Sequence, residues 1–263
     1  MDVRMDGRVA IITGASTGLG FAMAKEFAAS GASVAMLARR PDALATAQAE
    51  VAKAAGKTNA KIETYSCDVA KAQPIADTFK KVEAEFGKVD IVVNNAGISH
   101  AKPFETVSDE DWQGDLDLKL FGAIRMIRQA LPGMRTRKWG RIVNVLNIGA
   151  KAPGADSAPT SVSRAAQMAF TKALSQEGAP HNVLVNSLHV GVIVSDQIVR
   201  RHQREGANVS LDDFIAQAGR AVPLGRMGRA EEFANVATFF ASDAASYVTG
   251  CAINVDGGRS PVV

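Results

Sequence analysis

Thr13-Gly14-Ala15-Ser16-Thr17-Gly18-Leu19-Gly20 is the stretch whose reading decides the fold. The apolar run Val9-Ala10-Ile11-Ile12 leads into it, and an alanine-rich amphipathic run, Phe21 to Ser30, follows. That order reads as strand, tight glycine turn, helix. Three glycines open backbone conformations closed to other residues and let a ligand approach with no side chain in the way. The first turn of the helix leaves N–H groups unpaired at the positive end of its dipole, which suits a phosphate. The spacing, Gly-x3-Gly-x-Gly, is one residue longer than the dinucleotide-binding G-x-G-x-x-G. A glycine turn kept for packing alone is the plainer reading. The position at the front of a strand–helix–strand unit favours the phosphate, with Gly14, Ser16, Thr17, Gly18, Leu19 and Gly20 around a cofactor pyrophosphate.

Outward from this turn, short apolar runs alternate with longer helical patterns. The strands are expected at 8–13, 33–38, 61–66, 89–93, 140–147, 182–189 and 250–255, and the helices at 18–30, 41–55, 71–87, 109–135, 160–178, 197–219 and 230–242. Strands apolar on both faces and joined by helices make a parallel sheet covered on both sides. The fold class is therefore α/β: a single domain spanning 1–263, with a doubly wound parallel sheet of about seven strands and helices on both faces. Ligands of such a sheet bind beyond the carboxyl ends of the strands, at the switch point.

Composition narrows the function classes. The chain is 47% hydrophobic and 22% charged, as a compact soluble domain should be. A net charge of +3 without a lysine or arginine block argues against nucleic acid and anionic membrane as partners, leaving a small-molecule substrate. Cys67 and Cys251 sit in apolar strand-like runs and read as buried small residues, which fits a reducing, cytoplasmic setting. Residues Met1 to Arg8 show no apolar signal region, and no apolar run approaches membrane-spanning length.

The strand ends carry the chemistry. After the second strand comes Ala38-Arg39-Arg40, where an acidic side chain would have met the adenosine ribose hydroxyls. Two guanidinium groups suit a phosphate instead, so NADP is favoured over NAD; a pair of exposed surface arginines is the alternative. After the third strand, Asp68-Val69 places a carboxylate where an adenine amino group could meet it, or where it could cap the following helix. After the fourth, Asn94-Asn95-Ala96-Gly97 is small and polar, as a backbone lying close to a ligand requires.

Taken together, Thr13–Gly20, Asp68, Asn94–Gly97 and the closing Asn254-Val255-Asp256-Gly257-Gly258 resemble the short-chain dehydrogenase/reductase family over residues 6–258. The resemblance implies a Rossmann-like domain that binds a nicotinamide cofactor. It also implies a homo-oligomer, tetramer or dimer, built through helices 109–135 and 160–178. The family's active site uses an asparagine, a serine, and a tyrosine and lysine arranged as Tyr-x3-Lys. Here Asp117 is expected in place of the asparagine, Asn147 of the serine, Thr160 of the tyrosine and Arg164 of the lysine. Gly191-Val192-Ile193-Val194-Ser195 resembles the segment whose backbone meets the nicotinamide amide, with Ser195 near its phosphate, and 196–224 resembles the variable substrate lid.

These substitutions change the chemistry. Threonine is a far weaker acid than a phenol, whose reference pKa is about 10, and is shorter by several ångströms. Arginine can still hold ribose hydroxyls but does not release a proton. Asn147 keeps a donor and an acceptor with which to orient a carbonyl. Only Tyr65 and Tyr247 offer phenols, and both lie in other elements. His189, ending the sixth strand, and His100, three residues after Gly97, are the alternative acid–base groups, each weighed against a structural role. Lys151 and Asp156 lie in the loop where substrate should enter, and read as solvated loop charges. In the lid, Arg200-Arg201-His202 points to an anionic substrate or is simply a solvated helix face. Three functions follow: an NADP-dependent oxidoreductase acting on a carbonyl or alcohol by a non-tyrosine proton route, a cofactor-binding protein without turnover, and a non-redox lyase or hydratase.

Overall fold

Why the chain forms a sheet buried on both sides is visible in β1 (Val9–Thr13), where every residue is buried. In the computed structural model, which describes residues 2–205 and 208–263, Ala10 and Ile12 face one apolar layer and Ile11 the other. The same alternation holds in β4 (Ile91–Asn94) and β5 (Gly140–Asn147): Val93, Val143 and Val145 on the first side, Val92 and Ile142 on the second. With β2 (Ser33–Ala38), β3 (Ile62–Ser66), β6 (Val183–Val190) and β7 (Ala252–Val255) they make one sheet in the order β3-β2-β1-β4-β5-β6-β7. All six pairings are parallel. The expected doubly wound α/β sheet is thus observed, and the order reverses between β1 and β4, beside the glycine turn.

The first layer is closed by α1 (Gly18–Ala29), α2 (Pro41–Ala55) and, after the other helices in chain order, by Ala230–Ala241; Phe27, Val51, Phe233 and Phe240 are its large side chains. The second is closed by α3 (Ala72–Phe86), α5 (Gly122–Arg137) and α6 (Thr160–Gly178), through Ile75, Phe79, Met126 and Leu174.

Two expected helices are broken. The run 109–135 begins as α4 (Asp109–Leu116), started by a reciprocal capping box between Ser108 and Asp111. It then passes through a π-helical segment, Asp117–Phe121, in which the Gly122 N–H reaches back five residues to the Asp117 carbonyl, and resumes as α5. The run 197–219 divides into α7 (Asp196–Glu205) and α8 (Leu211–Gly219), because Ser210 accepts a hydrogen bond from the Asp213 N–H and starts a new helix. Helix Ala230–Ala241 is α9. Among the described residues no helix is long and apolar enough to cross a membrane.

A polar rung crosses the second layer. Asn94 Nδ2 donates to Asn144 Oδ1 at 2.9 Å, and Asn144 Nδ2 donates to Thr171 Oγ1 at 2.9 Å. Buried amides without partners would cost stability, so the rung fixes α6 against β4 and β5 in one position. That is what sets the position of Thr160 and Arg164 on α6.

Candidate functional site

The glycine turn is held by the strand end beside it. Thr13 Oγ1 accepts from the Asn95 and Ala96 N–H groups at 2.9 and 3.0 Å. The Asn95 amide donates to the Thr13 and Gly14 carbonyls at 2.9 and 3.2 Å. Gly14 and Gly18 have φ of +66° and +59°, which glycine alone adopts at no cost. At Gly20 a Cβ would run into the Gly14 carbonyl oxygen and lie 2.6 Å from Asn95 Nδ2. Thr17 is the N-cap of α1, yet its side chain makes no capping hydrogen bond, so the first-turn N–H groups face outward uncapped. Ser16, Thr17 and Gly18 are half-buried along that rim, while the Leu19 side chain packs into the first layer. A cradle of open N–H groups that a Cβ would fill fits a pyrophosphate.

Around it, Arg39 and Arg40 are exposed at the end of β2, and no carboxylate pairs with either among the described residues. Asp68 Oδ1 accepts from the Ala70 N–H at 3.1 Å, ahead of α3, so it shapes the turn and does not cap the helix, whose N-cap is Lys71; Oδ2 lies 3.9 Å from Lys71. Val69 is buried. The chain after β6 is tied down by backbone. The Gly191 N–H donates to the Val255 carbonyl, and Ile193 bridges to Gly228. The Ser195 carbonyl accepts from the Ile198 and Val199 N–H groups to begin α7.

The second half of the site is a buried ionic cluster at the broken helix. Asp115 is fully buried and Lys119 is 2% exposed. Lys119 Nζ donates to Asp115 Oδ1 and, at 2.9 Å, to Thr160 Oγ1. Ser163 Oγ donates to Asp115 Oδ2 at 2.6 Å, and the His100 N–H donates to Thr160 Oγ1 at 3.0 Å. Arg164 is also buried; Nη1 donates to Gln167 Oε1 at 2.9 Å, and Nη2 lies against the open face of Gly97. Burial drives the Lys119 ammonium down to about 8 against the pull of Asp115, with the nearby Arg164 charge adding to the drop. Burial also lowers the Arg164 guanidinium to about 10, which leaves it charged at neutrality.

Asp117 does not belong to this cluster. Its carboxylate turns outward to Arg125 at 2.9 Å and Gln113 at 2.8 Å, and Lys119 occupies the inward position expected of it. The reason is helical phase: residues four apart share a face, and a residue two along faces away. The spacing Asp115-x3-Lys119 therefore carried the signal that sequence reading passed over.

Of the two roles open to His189, the structure favours the structural one over the catalytic one. It is fully buried; Nδ1 lies 3.1 Å from the Asn147 carbonyl and Nε2 lies 3.1 Å from Ser187 Oγ. Burial pushes it down to about 4, so it is neutral and has both ring nitrogens engaged at the strand ends. It holds Asn147 and has no face open to substrate. Among the described residues Asn147 Oδ1 is buried without a partner, and with Ser161 Oγ it flanks Gly149. His100 stands at the rim of the cluster, its side chain 36% exposed and Nδ1 3.7 Å from Asp115 Oδ1.

Farther out, Lys151 Nζ donates to the Ala252 carbonyl at 2.6 Å, so it braces β7 instead of facing solvent; Asp156 is exposed. Tyr247 is fully exposed and Tyr65 lies on β3, so neither phenol reaches the cluster. Of the basic trio, the Arg200 side chain lies outside the described residues, and Arg201 and His202 both pack on Phe214 within the α7–α8 pair. In the described set no group of histidine, cysteine and carboxylate side chains could hold a metal ion.

Comparison with known proteins agrees with the fold. The family model described as enoyl-(acyl carrier protein) reductase matches residues 14–260. The chain is 32% identical over 258 residues to the 3-oxoacyl-[acyl-carrier-protein] reductase FabG of Aquifex aeolicus, covering 98% of this chain and 99% of that one. It is 34% identical over 253 residues to the acetoacetyl-CoA reductase of Shinella zoogloeoides, covering 96% and 98%. Among solved structures, L-sorbose reductase from Gluconobacter frateurii, complexed with NADPH and L-sorbose, superposes with a TM-score of 0.93 at 31% identity over the full length of both chains.

Proposed function

The chain belongs to the short-chain dehydrogenase/reductase family, and from that premise we propose that it is an NADP-dependent oxidoreductase that interconverts a carbonyl and an alcohol by a proton route without tyrosine. The observation that carries the proposal is the glycine turn clamped by Asn95, with the start of α1 left uncapped beside two exposed arginines that meet no carboxylate among the described residues. A dinucleotide pyrophosphate would sit on the backbone of Gly14, Ser16, Thr17, Gly18, Leu19 and Gly20. Arg39 and Arg40 would take the phosphate that distinguishes NADP from NAD. Asp68 and Val69 would meet the adenine, and Asn95, Ala96, Gly97 and Arg164 the ribose next to the nicotinamide. The backbone around Gly191 and Ile193 would meet the nicotinamide amide, with Ser195 near the cofactor's phosphate. Such a cofactor supplies or accepts a hydride. The relatives named above include enzymes of 3-oxoacyl, acetoacetyl and sugar substrates, so a ketone with a polar neighbour is the substrate class to try first.

Residues 196–224 are proposed as the substrate lid, and a dimer or tetramer through the helices at 109–135 and 160–178 as the assembly. The half-exposed apolar side chains of Phe121 and Val162 on those helices support the second point. A cytoplasmic setting is proposed with them.

Titration with NADPH and NADH followed by intrinsic fluorescence tests the cofactor half. Nicotinamide absorbance during a screen of acetoacetyl-CoA, 3-oxoacyl thioesters and ketoses tests turnover. Binding without turnover would favour a protein that senses or stores the cofactor, a reading supported by the missing phenol. Turnover of a screened compound without a change in absorbance would favour the lyase or hydratase.

A further inference from the structure

The hydroxyl of Thr160 has an unusual pattern of partners. An alcohol oxygen offers two lone pairs and one O–H donor. Both lone pairs of Thr160 are taken by obligate donors, the His100 N–H at 3.0 Å and Lys119 Nζ at 2.9 Å. Its own hydrogen has no acceptor among the described residues. Thr160 begins α6 one turn before Arg164, whose guanidinium lies against Gly97. Thr160 is therefore buried one helical turn from the Arg164–Gly97 contact, where the nicotinamide end of the proposed cofactor would lie, with an ammonium group on its oxygen.

Resting on the oxidoreductase reading above, we propose that Lys119 is the proton source of this site and that Thr160 relays its proton to the substrate oxygen. Alone, a threonine is too weak an acid to serve. As a relay it needs no acidity of its own, because it gains one proton as it gives one up. In the reducing direction a bound dihydronicotinamide cofactor would supply the hydride for the new C–H bond, and the carbonyl π pair would move onto oxygen. That oxygen takes the Thr160 hydrogen while an Nζ–H bond of Lys119 breaks to remake the Thr160 O–H. Lys119 is left as a neutral amine and is recharged from solvent after product leaves. Oxidation runs the same path backwards.

The groups facing Lys119 suit this role. Asp115 is on its own helical run and is held by Ser163 of α6. Arg164 is the second cation, also from α6, and His100 faces Asp115 from the loop after β4. One carboxylate against two buried cations leaves Lys119 able to lose a proton near neutrality, and burial brings it to about 8. Arg164, at the position where the family's lysine is expected, cannot release one there.

The first test needs no substrate. Side-chain NMR of isotopically labelled lysine in the full protein, with the signal assigned through Lys119→Met, should show Lys119 titrating near pH 8, while surface lysines titrate near about 10.4. Thr160→Val should lower that midpoint further, because it removes an acceptor of the charged form. A Lys119 that stays charged through pH 10, or a midpoint indifferent to Thr160→Val, overturns the proposal. The second test uses acetoacetyl-CoA and NADPH. The wild-type kcat should fall above about pH 8 as the acid is lost. Lys119→Met should lower kcat by roughly a hundredfold or more and abolish that limb, with the NADPH Kd within about twofold. Lys119→Arg keeps the charge but not the acid, and should be as slow. A surviving limb in Lys119→Met, or activity restored by arginine, overturns the relay. A wild-type protein that binds no NADPH overturns the oxidoreductase reading instead, and the titration still decides the Lys119–Thr160 coupling.

Discussion

The imidazole Nδ1 of His189 lies 3.1 Å from the carbonyl oxygen of Asn147, so a histidine at the end of β6 pins the last residue of β5. Neutral and fully buried, it takes a proton far more readily when the chain is unfolded. Between about pH 6.5 and 4 the unfolded chain therefore binds the extra proton, and stability falls as the pH falls through that window. The contribution is of order 3 kcal/mol, fully present above about pH 6.5 and lost below about pH 4. Urea denaturation across this range should show the loss in the wild type, and a His189→Gln variant should lack that part of it.

Gly20 and Gly97 should respond differently to alanine. At Gly20 the added methyl meets the Gly14 carbonyl, a backbone atom that cannot move without undoing the turn. Gly20→Ala should weaken NADPH binding by roughly a hundredfold or more. At Gly97 the methyl meets the tip of the Arg164 guanidinium, which can swing aside, so Gly97→Ala should cost only several-fold. Fluorescence titration of the two variants measures the contrast.

Arg39→Ala and Arg40→Ala should each raise the Kd for NADPH by roughly tenfold, as expected of one charge-assisted phosphate contact, and leave that for NADH nearly unchanged. Because both side chains are exposed, the NADPH preference should shrink as salt is added. Parallel titrations with the two coenzymes at low and high ionic strength read both effects.

Asn144→Val should destabilise the protein by about 2 kcal/mol, because it strands the Asn94 amide in the second layer. It should also lower kcat more than its stability loss explains, since the same rung sets α6 and with it Thr160. Denaturant midpoints and steady-state kinetics on one preparation separate these two effects.

Much of this was legible along the chain. The run Thr13–Gly20 announces a phosphate cradle, and apolar strands with helical crossovers announce the sheet, because each depends on residues close in sequence. The ionic cluster was not, because it joins the loop after β4, the broken helix and the start of α6, and a one-for-one match of residue types put Asp117 where Lys119 stands. His189 stays open between two roles in the sequence for a similar reason. A histidine at a strand end says nothing of whether its ring faces a cleft or, as here, sits between Ser187 and Asn147. Ser210, followed three residues on by Asp213, did carry a helix-start signal within an apparently continuous run.

The five residues Asp117–Phe121 make one wide turn where the helices on either side make regular ones. Each residue added to or taken from a helix rotates everything beyond it by about 100°. Excising a single position from this turn would let α4 and α5 fuse into an ordinary rod and swing Asp115 away from Ser163. The charge arrangement of the buried cluster is thus encoded less by which amino acids are present than by how many of them separate two ends of a spiral, and an insertion or deletion beside Lys119 would rewrite it while leaving Asp115, Lys119, Thr160 and Ser163 in the sequence.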